Sequence, residues 1–93
     1  MLTLPIKKKW LDMILSGEKK EEYREIKPYW NKRFKSQGYP DTANMIVKLR
    51  AGYRKNAPAA KVIVIVTKGT GREEWGAVPG VVYYKLAIKE ISK

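Results

Sequence analysis

The chain has no cysteine and no histidine among its 93 residues. Thiol catalysis, disulfides, Cys/His zinc centres and histidine general-base chemistry are excluded at once. Any chemistry must come from Lys, Glu, Asp, Tyr, Thr or Ser. Long apolar runs are also missing. The longest is Val62–Val66, far short of the roughly 20 residues that a bilayer-spanning helix needs. Acidic residues are scarce in one region. Between residues 27 and 72 Asp41 stands alone against eleven Lys and Arg, a net charge of +10. Residues 1–26 carry six positive and five negative side chains, and residues 73–93 balance three against three. The total of +11 therefore sits almost wholly in the middle of the chain. Such a field attracts polyanions and speeds their encounter, which makes nucleic acid the default partner. The plainer alternative is a charge that serves solubility.

The remaining composition is globular, with 44% apolar and 31% charged residues. The length suits one domain over residues 1–93. "MLTLPIKKKW" does not read as a signal peptide, because its basic cluster follows the apolar residues and no long apolar segment comes after. A cytoplasmic location, no membrane contact, no metal and no cofactor are expected, and a monomer is assumed.

"LTLPI" predicts a short strand that runs into a helix over residues 5–16. Pro5 fits the first turn, and Ile6, Trp10, Leu11, Met13, Ile14 and Leu15 recur at helical spacing. Gly17 stands where a helix commonly ends. Residues 19–26 alternate, which favours a strand, although Glu and Lys also suit a helix. Pro28–Ser36 predicts a second helix, with Tyr29, Trp30 and Phe34 turned inward and Lys27, Lys32, Arg33 and Lys35 outward. "MIVKLRAGY" predicts a strand. "KVIVIVTK" predicts a central strand buried on both sides. "GTGREEWGAVPG" predicts a long loop suited to a lid, and "VVYYKLAIKEI" predicts the last strand. Two helices and about five strands give an α+β class, with a small bent sheet or barrel flanked by the helices.

The densest charge pattern is Gly17-Glu18-Lys19-Lys20-Glu21-Glu22-Tyr23-Arg24. Glu22 and Arg24, two apart on a strand, share a face. Arg24 offers a planar fork for a phosphate or a base edge. Glu22 can accept from an exocyclic amine or hold Arg24 and Lys19 in place. Lys19, at the start of the strand, reaches towards the same place. The bland alternative is a solvated ion network of little energetic weight.

The octapeptide matches G-x-K-x-x-E-x-R and resembles the signature of the ASCH domain family. "LRAGY" at Leu49–Tyr53 and "EEWGAVPG" at Glu73–Gly80 look like later elements of small bacterial and phage members. The resemblance spans nearly the whole chain. It implies a PUA-like fold, a small β-barrel of about five strands with two flanking helices and a cleft near the motif. It also implies binding of RNA, a nucleotide or a nucleoside. Some relatives are amidohydrolases acting on acylated cytidine and others resemble ribonucleases, so a small RNA-processing enzyme is the alternative, with Lys19 and Glu22 as its catalytic candidates. Glu22 stands where the amidohydrolase pattern has Thr, and no Thr lies in residues 17–24. The nucleophile of that reaction is thus missing.

Further binding candidates follow from charge and aromatic placement. Arg50, Tyr53, Arg54 and Lys55 bracket Gly52 and suit phosphate contact with base stacking. A core-edge tyrosine among solvated cations fits them equally. Arg72 and Trp75 lie in the Gly-rich loop, where Trp75 either anchors the loop on the core or offers a stacking surface. "GTGR" lacks the spacing of a phosphate-binding loop.

Overall fold

The β-branched run at residues 62–66 becomes the middle of a sheet. The computed structural model describes residues 1–42 and 44–92. In chain order its elements are β1 (Leu2–Pro5), α1 (Lys8–Leu15), β2 (Glu21–Glu25), α2 (Pro28–Ser36), β3 (Asn44–Arg50), β4 (Ala59–Thr70), a 3-10 turn (Glu73–Trp75) and β5 (Val82–Ser92). The strands form one sheet in the order β1-β3-β4-β5-β2. Only β1 and β3 pair in parallel; the other neighbours are antiparallel. The sheet curls into a half-barrel, and the class is α+β with five strands and two helices.

Alternation explains which residues fill the concave side. Register aligns Leu4 with Leu49, Val47 with Val62, Met45 with Val64, and Val66 with Leu86. All of these are buried, and α1 adds Leu11 and Ile14 while α2 adds Trp30 and Phe34. Each such aliphatic side chain contributes about 1.5–3 kcal/mol on leaving water. Both helices enter this one core cluster. The other face of β4 is therefore less covered. Ile63 and Ile65 are only half-buried, which corrects the expectation of burial on both sides.

Pro5 also departs from expectation. It ends β1 rather than starting α1, which begins at Lys8. Pairing with β3 continues past it, since the Ile6 amide donates to the Arg50 carbonyl at 3.0 Å. β1 is an edge strand, so the amide that Pro5 lacks would point away from β3 and costs no ladder bond. α1 ends as expected: Ser16 caps it and Gly17 takes φ +85°, a backbone state that other residues adopt only with strain.

The expected lid is a pinned strap. Gly69 and Thr70 extend β4, and the chain then crosses Tyr23. A Cβ on Gly71 would lie 2.6 Å from the Tyr23 ring and 2.7 Å from Ala77, so only glycine passes there. The Arg72 amide donates to the Tyr23 hydroxyl at 3.0 Å, and the Val78 amide to the Tyr83 hydroxyl at 3.0 Å. Among the described residues no helix is long and apolar enough to cross a membrane.

Candidate functional site

β1 and β2 are the two edges of the curled sheet, and residues 6–20 join them. The concave face on β2 breaks the apolar rule followed by the other four strands. Glu22 pairs with Leu86 and Arg24 with Tyr84, so both occupy positions that elsewhere carry core residues. A cleft of about 570 Å³ opens here, within the range of small-molecule sites. Glu22 and Arg24 line it together with Pro5, Ile6 and Lys7. Its aromatic lining is Trp10, Tyr23, Trp30, Trp75 and Tyr83.

Three charges are locked at the base. The Glu22 carboxylate divides its oxygens: Oε1 lies 3.2 Å from Lys19 Nζ and accepts from the Tyr23 amide at 3.2 Å, while Oε2 lies 3.0 Å from Arg24 Nη1. A carboxylate has about four acceptor positions, so about one remains on Oε2. The Arg24 guanidinium also donates to the Tyr23 carbonyl at 2.6 Å and to the Pro5 carbonyl. That last bond ties edge β2 to edge β1. The fork expected to be free for a phosphate is therefore mostly spent inside the protein. Both hydrogens of Nη1 are spent on Glu22 and Tyr23, so the guanidinium keeps one hydrogen on Nη2 and the one on Nε.

Lys19 is sealed rather than displayed. Its side chain has no exposure, its ammonium donates to the Trp75 carbonyl, and it lies 4.9 Å from the Trp10 ring and 5.0 Å from the Tyr23 ring. Loss of water pushes its pKa below the usual lysine value; Glu22 opposes this shift and Arg24 adds to it. Lys19 thus acts on the cleft through Glu22 and through the strap.

Trp75 joins the motif in the cleft lining, whereas Arg72 is exposed and outside that lining, its amide donating to the Tyr23 hydroxyl and its guanidinium 5.0 Å from the Trp75 ring. The Trp75 carbonyl holds the strap on Lys19, and the residue lines the cleft. Arg50, Tyr53, Arg54 and Lys55 are not brought to the cleft. They belong to the end of β3 and the loop before β4, where Tyr53 is 90% exposed and the Arg50 guanidinium donates to the Arg54 carbonyl. A separate shallow hollow over residues 51–58 includes Tyr53 and Arg54. Sequence reasoning missed Trp10 and Trp30, which read as core residues. Each has one side in the core or on the strap and another in the cleft. No local pattern joins them, since the three tryptophans are far apart along the chain and meet only as the lining of this cleft.

Tyr23 gives the site an alkaline signature. Burial and the Glu21 carboxylate, which accepts its hydroxyl proton at 2.8 Å, raise its pKa to about 12, while the Arg72 amide opposes the shift. The folded state then holds a proton that the unfolded chain releases near pH 10. The stabilisation is full below pH 10 and lost as pH rises towards 12. Lys19 works in the opposite sense. Its folded pKa lies below 10.5, so its cost is full below that folded value and eases as pH climbs to 10.5. Tyr84 shifts in the same direction as Tyr23. Tyr23→Phe is expected to flatten part of the fall in urea midpoint between pH 10 and 12. An undiminished fall would assign it to other groups.

No family model, curated protein or solved structure matches the chain.

Proposed function

We propose that the protein binds RNA or a nucleotide through this cleft, as an ASCH-type domain of PUA-like fold. The observation that carries the reading is the Glu22–Arg24 pair, held on the concave face where the other strands bury apolar side chains, at the base of an aromatic-lined hollow. Buried ion pairs are costly to form and are often no more stable than an apolar replacement. Their presence at an open edge fits a recognition role. The open acceptor on Glu22 and the donors left on Arg24 suit a ring that presents both N–H and acceptor groups, as nucleobases do. Indole and phenol rings supply stacking surface, worth about 1–3 kcal/mol per base. The chain's net charge of +11 draws polyanions, while the cleft's own lining balances Lys7 and Arg24 against Glu22 and Glu25. The sealed ammonium of Lys19 favours binding over turnover, because it touches Glu22 and Trp75 instead of a substrate.

Because every tryptophan lines the cleft, intrinsic fluorescence reports occupancy directly. Nucleoside monophosphates and a short single-stranded RNA are expected to quench or shift it. With about five phosphates neutralised, log K against log salt for the RNA should slope near −3.5, at about 0.7 per contact. Unchanged fluorescence at millimolar monophosphate and saturating RNA, with a flat salt response, would refute the reading.

A further inference from the structure

The outer face of α2 offers a surface that the cleft does not account for. Trp30 lines the cleft and lies 5.5 Å from the Arg24 guanidinium. The Tyr29 ring meets it edge-on at 4.8 Å, and the Arg33 guanidinium stacks 3.5 Å from the Tyr29 centroid. Cation, ring, ring and cation thus form an unbroken series from the cleft onto the helix surface. Tyr29 is 51% exposed, which corrects the expectation that it packs inward with Trp30 and Phe34. The helix carries no acidic residue, and Lys32 and Lys35 are exposed. Among the described residues Lys32, Arg33 and Lys35 have no ion-pair partner, while Lys27 lies 3.9 Å from Glu25.

We propose that this face continues the cleft as a track for single-stranded RNA, so that the preferred occupant is an oligonucleotide rather than an isolated nucleotide. The inference rests on the nucleic-acid reading of the cleft and extends it to a second surface. Charge complementarity selects a polyanion. The stacked Arg33–Tyr29 pair selects one with unpaired bases, since a guanidinium plane on a ring is a platform for a splayed base. Lys32 and Arg33 then contact phosphates on either side of it. A duplex keeps its base faces covered and gains nothing from that platform.

The test compares the four nucleoside monophosphates, a ten-nucleotide single-stranded RNA and heparin on wild type, Lys32→Glu/Arg33→Glu and Tyr29→Leu. All three substituted side chains are on the helix surface, and circular dichroism checks that folding is retained. The ten-mer is expected to bind wild type at least tenfold more tightly than any monophosphate. The double variant should lose at least tenfold in ten-mer affinity and about 1.4 in salt slope, two contacts at about 0.7 each, with monophosphate quenching unchanged. Tyr29→Leu should weaken the ten-mer and leave heparin binding unaltered. Equal affinity for ten-mer and monophosphate, or a double variant with the wild-type slope, overturns the track and spares the cleft. Ten-mer binding that depends on α2 but never perturbs tryptophan removes the cleft reading and with it the continuous track, and leaves α2 as a separate RNA-binding face. Heparin and ten-mer bound alike by all three proteins overturns the track in favour of a general polyanion surface.

Discussion

Glu22→Ala should destabilise the fold by about 3 kcal/mol, read as a lowered urea midpoint with an unchanged slope. The carboxylate stands between two cations with little access to water: Lys19 is wholly covered and the Arg24 side chain is 13% exposed. Removing it leaves two like charges facing each other and frees the Tyr23 amide. Lys19 responds by losing its proton more readily, since its largest opposing influence has gone. The same loss would be a large share of the 5–15 kcal/mol typical of small domains. Lys19→Met/Glu22→Leu/Arg24→Met behaves differently. It removes the whole triad in favour of apolar side chains of similar size, and is expected to fold at least as stably as Glu22→Ala while losing nucleotide-dependent quenching. A triple variant that still binds nucleotides would separate the triad from recognition. A single variant as stable as wild type would show that the triad is solvated in solution.

Phe34→Ala carries the second large effect, about 3–5 kcal/mol. Phe34 is the only phenylalanine, has no exposure, and seats α2 on the sheet. Its ring lies 4.5 Å from that of Tyr84 and 6.1 Å from that of Trp30. The Tyr84 hydroxyl in turn donates to the Asn31 side chain at 2.6 Å. Losing the ring leaves a cavity between helix and sheet. It also loosens Trp30, which lines the cleft. A thermal midpoint about 25 °C lower is expected, at about 4–8 °C per kcal/mol for this size. Nucleotide affinity should fall at temperatures where the variant is still folded. Phe34→Leu, which keeps most of the volume, should recover most of both. Full affinity in folded Phe34→Ala would show that α2 does not position Trp30.

The two effects differ in how visible they were in the chain. Trp30 and Phe34 are four residues apart on a segment opened by Pro28, so helix and inward face followed from period alone. Tyr29 broke that pattern, because three neighbouring rings cannot all face one core and the first was turned out onto Arg33. The strand character of residues 21–25 was legible from alternation after Gly17. Alternation also put Glu22 and Arg24 on one side, but not which side. Pairing with Leu86 and Tyr84 decided that, and it turned the charges inward. The cluster at residues 50–55 had suitable composition, yet the β3–β4 turn carries it away from the cleft. The Gly-rich loop of residues 69–80 suited a lid. It is held because Gly71 lets the chain cross Tyr23 and because Lys19 captures the Trp75 carbonyl.

The sequence by itself determined the local choices: helix against strand, the glycine exits, the central strand and the one-sided positive charge. These depend on backbone preference, side-chain period and formal charge, all properties of neighbours along the chain. Only the tertiary structure decided that the Arg24 side chain bridges the edges β1 and β2, that it spends donors on Pro5, Tyr23 and Glu22, and that three distant tryptophans share one hollow. Such contacts depend on sheet order and curl, which bring together residues that no local pattern connects.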